Sequence, residues 1–137
     1  MTECIALVVA AGRGSRAGGA GPDRLPKQYR LLAGKPVLRY SLELFSRHPR
    51  VGAVRAVIHQ DDRALYDAAV AGLSLLEPVG GGAIRQDSVR LGLESLADLA
   101  PELVLIHDAA RPFTEPDILE RGLDAAHTYD GYYPSLN

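Results

Sequence analysis

The sequence lacks the features that mark several classes of protein. It has a single cysteine, Cys4, so it cannot form an internal disulfide, which fits a reducing compartment. No apolar run reaches the roughly 18 residues of a membrane-spanning helix, and the short apolar stretch after Glu3 does not make a signal peptide. The formal net charge of −2 gives no support for broad binding to nucleic acids or membrane surfaces. We therefore predict a cytoplasmic protein with no nucleic-acid or membrane partner.

Several catalytic arrangements are also missing. The histidines do not have the spacing of zinc ligands, and no second acidic cluster is present. Neither a Ser-His-Asp order nor a cysteine nucleophile is supported, and Cys4 itself reads as a buried structural thiol. The histidines are His48, His59, His107 and His127.

The composition is that of an ordinary globular domain. The chain has 137 residues, of which 47% are apolar and 23% are charged, so we predict one domain spanning 1–137. Strand and helix patterns alternate along it. Strands are predicted at 5–10, 54–59, 73–79 (weaker) and 103–107, and helices at 37–46, 61–71, 88–99 and 115–127. Such alternation predicts an α/β fold, with a mostly parallel sheet between two layers of helices.

A glycine-rich loop with arginines follows the first strand, as Ala11-Gly12-Arg13-Gly14-Ser15-Arg16. Glycine amides can approach an anion closely, and arginine offers a fork of donors matched to phosphate oxygens. The carboxyl end of a buried parallel strand is where open α/β sheets bind nucleotides. Lys27, a little later in the chain, adds a second positive charge. We interpret the segment as a cradle for a nucleoside triphosphate, held by Arg16 and Lys27.

Two other phosphate-binding motifs fit this part of the chain less well, and a loop without a binding role is a further alternative. The spacing of Gly12, Gly14 and Ala17 nominally fits a dinucleotide fingerprint. That motif needs a helix that starts within the glycines, which later glycines and prolines prevent, and a second strand that ends in Asp or Glu, which does not follow here. Gly34-Lys35 is followed by proline, so it is not a Walker loop. A solvated loop with scattered charges remains open.

Two later segments carry further candidates. Three glycines precede Ala83-Ile84-Arg85-Gln86-Asp87-Ser88, where backbone groups could read a base edge and Arg85 would favour negative charge; a plain turn with Ser88 as helix N-cap is the alternative. Asp108 ends the last predicted strand, a place suited to Mg²⁺, which takes one or two carboxylates plus substrate phosphates. A structural ion pair between Asp108 and Arg111 is the alternative, and His107 could be either structural or a substrate contact.

In this order the motifs closely resemble the 2-C-methyl-D-erythritol 4-phosphate cytidylyltransferase family of the non-mevalonate isoprenoid pathway. The resemblance runs from about residue 5 to the end of the chain. It implies a Rossmann-like nucleotidyltransferase fold, CTP and methylerythritol 4-phosphate as substrates, a divalent cation such as Mg²⁺, and a homodimer in the complete protein. The matching segments are Ala10-Ala11-Gly12-x-Gly14-x-Arg16, Pro26-Lys27-Gln28-Tyr29, Gly81-Gly82-x-x-Arg85-x-x-Ser88-Val89 and His107-Asp108-Ala109-Ala110-Arg111-Pro112.

The resemblance also implies roles for individual residues. Arg16 and Lys27 match the catalytic pair that grips the triphosphate and stabilises charge developing at the α-phosphorus. Asp108 matches a position near the ribose and the metal ion. The remaining nucleotide-binding positions are Ala10, Ala11, Gly12, Arg13 and Gly14 in the backbone cradle, Gly81, Gly82, Arg85 and Ser88 around the cytosine, and Ala109 beside Asp108.

Two departures from the family pattern affect the interpretation. Ala83 stands where the family can have an acidic residue, so base selection would fall to backbone groups and Ser88. The family's chains continue past this length, so we expect the C-terminal portion of the domain to be missing, with most of the acceptor site and the dimer arm. In some bacteria the domain is fused to a cyclodiphosphate synthase.

The alternative functions for this chain are a ribitol- or other alditol-phosphate cytidylyltransferase, and a non-catalytic nucleotide-binding module.

Overall fold

The computed structural model describes residues 4–12 and 25–109, which form a parallel sheet covered by helices. The predicted helix at 115–127 lies outside these residues. The strands and α-helices in chain order are β1 (Cys4–Ala10), β2 (Leu31–Leu32), β3 (Lys35–Pro36), α1 (Val37–Arg47), β4 (Ala53–Ile58), α2 (Arg63–Ala69), β5 (Val79–Gly80), α3 (Arg85–Ser95) and β6 (Leu103–Asp108). Short 3₁₀ turns occur at Lys27–Tyr29, Gln60–Asp62 and Ala97–Leu99.

The main sheet has the order β5-β4-β1-β6, and each neighbouring pair is parallel. β2 and β3 form a separate antiparallel hairpin that leads into α1. Because parallel neighbours need crossover connections, the intervening helices must pack on the faces of the sheet. The predicted α/β class with a mostly parallel sheet is confirmed.

Strand β1 separates two apolar cores. All seven of its residues are buried, as expected for a strand covered on both faces. Its even positions pack with Leu38, Leu42 and Phe45 of α1, whereas Ile5, Leu7 and Val9 pack with the apolar side of α3. Cys4 is fully buried at the start of the strand, which confirms the structural thiol. The two cores place the described helices in layers above and below the sheet.

Three predicted elements differ from the observed ones. The weaker strand predicted at 73–79 is wrong except at Val79, where the pairing of β5 with β4 begins. Pro78, just before it, has no N–H to donate to a ladder. The helix at 61–71 begins as a 3₁₀ turn capped by the side chain of His59, and its α-helical part is α2. Gly72, at φ 87°, lies just beyond it.

The helix predicted at 88–99 begins three residues earlier, as α3, and finishes in a 3₁₀ turn. Its N-cap is Ile84, which has an extended backbone and makes no side-chain capping bond. Ser88, the N-cap of the alternative interpretation from sequence, lies inside the helix instead, so that capping is wrong. The apolar side of this segment faces the sheet: Leu96 is buried, and Val89 and Leu93 pack on the second core.

The longest helices in the described residues have 11 residues each, and none of the helices there is long and apolar enough to cross a membrane.

Candidate active site

A cavity of about 440 Å³ opens at the carboxyl edge of the sheet. It lies where β1, β4 and β6 end and where α3 begins, the position at which doubly wound sheets hold their ligands. Its lining comes from segments far apart in the sequence: Val9, Ala11, Gly12, His59, Gly82, Ala83, Ile84, Arg85, Ser88 and Asp108.

Six of the predicted site residues meet in this cavity. They come from the segment directly after β1, from the glycine-rich turn before α3, from α3 itself and from the end of β6. Three others lie directly behind the wall: Ala10 and Ala109 are buried, and Gly81 packs against Ala11. The six in the wall are Ala11, Gly12, Gly82, Arg85, Ser88 and Asp108.

The remaining predicted residues are not in the cavity wall as described. Lys27 is exposed on its 3₁₀ turn, and the next residue, Gln28, is hydrogen-bonded to the end of β1. Arg13, Gly14 and Arg16 lie outside the described residues. The convergence of Arg16 and Lys27 on a triphosphate therefore stays a prediction.

The glycine turn before α3 is tightly packed. The Gly81 N–H donates to the carbonyl of Ile58 at 2.8 Å, which extends the β4 edge toward the cavity. A Cβ placed on Gly81 would lie 2.4 Å from Cβ of Ala11 and 2.6 Å from Oγ of Ser88. Only glycine therefore fits at this position while the two neighbouring walls keep their places.

Ser88 locks this turn to the helix. Its buried hydroxyl oxygen accepts a hydrogen bond of 3.1 Å from the N–H of Gly82. The N-cap role of Ser88 in the alternative from sequence is therefore wrong: the hydroxyl oxygen bonds to the glycine turn that precedes the helix and caps no N–H of α3.

The cavity has a positive and a negative side. Arg85, the first residue of α3, is exposed, and it stands where the helix dipole also favours an anion. Asp108 ends β6 opposite Val9 of β1 and is partly exposed. An anionic ligand would be bound through Arg85 and the backbone N–H groups at the start of α3, and a cation carried by that ligand would lie beside Asp108.

The residues fit Mg²⁺ only together with a substrate. The described part of the chain has no group of three or more His, Cys, Asp or Glu side chains that could hold a metal ion. Asp108 offers one carboxylate at the cavity, and Mg²⁺ commonly takes one or two carboxylates while phosphates and water complete its shell. This donor set matches a metal ion that arrives with a triphosphate.

His107 is structural. The imidazole is fully buried, its Nε2 lies 3.0 Å from the Ser41 hydroxyl, and its ring meets Phe45 edge-on at 5.3 Å. The alternative of a direct substrate contact is therefore not supported.

Sequence reasoning gave no role in the site to His59 and Ile84, which line the cavity, or to Gln28, which lies outside the cavity wall. His59 follows β4 at the same edge as Asp108, and its place at the end of the strand predicted at 54–59 is a usable signal. Ile84 lies in the wall with 57% of its surface exposed, and an isolated apolar residue in a loop gives no such signal. Gln28 reaches β1 through contacts that only the tertiary structure reveals.

Comparison with known proteins agrees with the geometry. The family model described as 2-C-methyl-D-erythritol 4-phosphate cytidylyltransferase matches residues 4–137. The chain is 59% identical over 134 residues to the bifunctional enzyme IspD/IspF of Paramagnetospirillum magneticum, covering 98% of this chain and 34% of that protein. Its counterpart from Rhodospirillum rubrum is 54% identical over 137 residues, covering 99% and 35%. The chain thus spans about a third of the length of these relatives.

Solved structures share the fold. A 4-diphosphocytidyl-2C-methyl-D-erythritol synthase from Anaerococcus prevotii matches with a TM-score of 0.75 and 26% identity, over 92% of this chain and 52% of that one. A CMP:2-keto-3-deoxy-manno-octonic acid synthetase complexed with CTP matches with a TM-score of 0.70, over 92% and 48%, and at 16% identity it shows the fold alone.

Proposed function

The chain belongs to the 2-C-methyl-D-erythritol 4-phosphate cytidylyltransferase family, and from that premise we propose that it binds CTP and carries the cytidylyl-transfer site of an enzyme acting on 2-C-methyl-D-erythritol 4-phosphate. The observation that carries this proposal is the cavity itself. The end of β1, the glycine turn with Ser88, and Asp108 form one cavity at the edge where a parallel sheet binds nucleotides.

The reaction needs positioning more than proton transfer. An oxygen of the acceptor's phosphate forms a bond to the α-phosphorus of CTP, while the bond from that phosphorus to the bridging oxygen breaks and pyrophosphate leaves with the electron pair. The attacking phosphate is already ionised, so no general base is required. Catalysis then rests on holding the two phosphates in line and on balancing the negative charge.

In this proposal the charges are balanced by side chains from separate segments. Lys27 and Arg16 bind the triphosphate and the charge developing at the α-phosphorus, and the backbone of Ala11 and Gly12 lines its path. Asp108 would hold Mg²⁺ together with phosphate oxygens; when bound, the ion neutralises charge on the leaving pyrophosphate.

Base selection falls to the glycine turn. Cytosine presents an amino group as donor and ring acceptors beside it, so the pocket needs both a carbonyl and a donor. The N–H of Gly82 is already used by the Ser88 oxygen, so we assign the Ser88 hydroxyl hydrogen as the side-chain donor to the base. Ala83 adds no polar side chain, so backbone carbonyls of the turn would accept from the amino group.

The experiment is a comparison of nucleotides by thermal shift with Mg²⁺ present. CTP should raise the melting temperature more than UTP, ATP or GTP, and UTP is the sharpest control because it differs at the amino position. Lys27→Ala and Arg16→Ala should each abolish the CTP shift. Equal shifts from all four nucleotides would remove the cytidine assignment.

The acceptor is tested separately by pyrophosphate release with the natural-length protein. Methylerythritol 4-phosphate should support release, and ribitol 5-phosphate should not. Release that Lys27→Ala abolishes would rule out a non-catalytic binding module. Preference for the ribitol phosphate would transfer the assignment to an alditol-phosphate cytidylyltransferase. The proposed homodimer of the complete protein is supported by the family resemblance, and its mass in solution tests it.

A further inference from the structure

Gln28 connects the turn that carries Lys27 to the end of β1. Its side-chain Nε2 donates to the carbonyl of Ala10 at 2.6 Å and to the carbonyl of Gly12 at 2.9 Å. The residue is 5% exposed, and a primary amide has two N–H donors. Both donors are therefore used on two carbonyls that flank Ala11.

These two carbonyls lie where β1 stops being a strand. Ala10 is its last residue, and Ala11 and Gly12 continue into the cavity wall. A backbone carbonyl near the interior needs a partner, and beyond the strand end the ladder no longer guarantees one. Because a trans peptide is planar, a fixed Ala10 carbonyl also fixes the direction of the Ala11 N–H. Gln28 thus sets the orientation of backbone groups in the wall.

The other end of the connection is rigid. Tyr29 is buried in the core beneath α1, and its N–H donates to the carbonyl of Pro26 at 2.9 Å. Arg30 closes the same turn, with Nε donating to the carbonyl of Leu25 at 3.2 Å. Lys27 is exposed on this anchored turn. A shift of Gln28 would therefore move Lys27 relative to the cavity wall.

We propose that Gln28 is a positioning residue for the triphosphate: it holds the backbone of Ala11 and Gly12 and the backbone turn that carries Lys27 in one arrangement. The inference rests on the proposed function. It assigns Gln28 no contact with substrate, and its effect passes through the two carbonyls and through Lys27.

The test replaces Gln28 by methionine, which keeps the length of the side chain and removes both donors. Arg55→Met is the matched control, because Arg55 also donates to two backbone carbonyls, those of Glu77 and Ser95, and lies outside the cavity wall. In the natural-length protein, CTP affinity is measured by calorimetry, kcat and KM by pyrophosphate release, and the melting temperature without ligand.

Gln28→Met should weaken CTP binding about tenfold and lower kcat by a similar factor, whereas Arg55→Met should leave both within about twofold at a similar loss of melting temperature. Unchanged CTP affinity and kcat in Gln28→Met would overturn the proposal. Equal losses of affinity in the two variants would do so as well, because they would show a general effect of lost stability.

A second variant keeps the test decisive if Gln28→Met does not fold. Gln28→Glu has the same shape but presents a carboxylate to the two carbonyls, and protonation returns one donor. Its CTP affinity relative to wild type should rise as the pH falls from 8 to about 5.5, and a ratio independent of pH would contradict the inference.

The outcome is separable from that of the proposed function. All ratios use the nucleoside triphosphate that wild type binds most tightly. If that ligand is not CTP, the proposed function fails while the role of Gln28 is still measured. No binding of any nucleoside triphosphate by wild type would overturn both.

Discussion

The hydroxyl of Ser88, in the first turn of α3, accepts the N–H of Gly82 six residues earlier, at 3.1 Å. The bond joins the helix to the glycine turn that forms one wall of the cavity. It also decides which atoms of that wall remain for a ligand, because the Gly82 amide is taken and the Ser88 hydroxyl hydrogen is not. The wall is thus ordered by a contact within the chain itself.

Ser88→Ala should therefore affect nucleotide selection more than folding. We expect CTP binding to weaken about five- to tenfold, from the loss of one donor and of the bond that orders the turn. The ratio of CTP to UTP affinity should fall with it. Calorimetric titration with the two nucleotides measures both.

Ser46→Ala is the control for this variant, because the Ser46 hydroxyl donates to a helix carbonyl, that of Glu43, outside the cavity wall. It should leave the CTP to UTP ratio unchanged. A Ser88→Ala protein that keeps the wild-type ratio would show that Ser88 does not read the base.

Two adjacent glycines give a matched pair of substitutions. In Gly81→Ala the new Cβ would lie 2.4 Å from the Cβ of Ala11, an atom that cannot move without its backbone. We expect a loss of about 1–3 kcal/mol in unfolding free energy and loss of the CTP-induced thermal shift. In Gly80→Ala the new Cβ meets nothing within 4 Å.

Gly80→Ala should therefore stay within about 0.5 kcal/mol of wild type and keep its CTP response. Urea unfolding and thermal shift on the two variants make the comparison. Similar behaviour of both would mean that the close packing of Gly81 against Ala11 does not hold in solution.

Much of the scaffold could be predicted because its signals are local. A strand with all residues apolar indicates burial on both faces, and β1 shows it; alternating patterns then give the parallel sheet and its carboxyl edge. The family resemblance implies that Gly12, Gly82 and Asp108 serve one nucleotide, and the cavity contains all three.

The failures involve tertiary contacts. Ser88 looks like a helix cap in a linear reading, but its partner is Gly82 across a turn whose path depends on the packing of Gly81 against Ala11. Gln28 meets the end of β1 across 18 and 16 residues of sequence, a contact that no periodicity encodes. Pro78 is a local signal against the weaker strand at 73–79, because proline has no N–H to donate to a ladder.

Gly92 tests whether packing or helix propensity decides the stability of α3. Alanine is favoured over glycine inside a helix by about 0.8–1 kcal/mol. Here, however, the added Cβ would lie 2.7 Å from Cδ2 of Leu7 and 2.8 Å from Cγ2 of Val57, both of them fully buried residues. Overpacking costs about 1–3 kcal/mol, so Gly92→Ala should lower the free energy of unfolding in urea. A rise would show that the core yields and propensity wins.

The last prediction concerns pH, through a carboxylate that three basic side chains surround. Glu43 accepts from Lys35 at 2.6 Å and from Arg39 at 2.8 Å, and Arg47 lies at 4.0 Å. The hydrogen bond from Lys35 lowers the pKa of Glu43 below its ordinary value of 4.5; burial opposes this, and the two arginines support it. A lowered folded-state pKa means that the stabilisation is complete above the unfolded value and is lost as the pH falls through the folded one.

Glu43→Gln should thus cost about 1 kcal/mol at pH 7, and urea unfolding should show this difference shrinking between about pH 5 and pH 3. The exposed pair of Glu94 with Arg90 gives the control, because Glu94→Gln should change stability by less than about 0.5 kcal/mol at either pH. A constant gap between wild type and Glu43→Gln across this range would mean that the ionised carboxylate contributes nothing to folding.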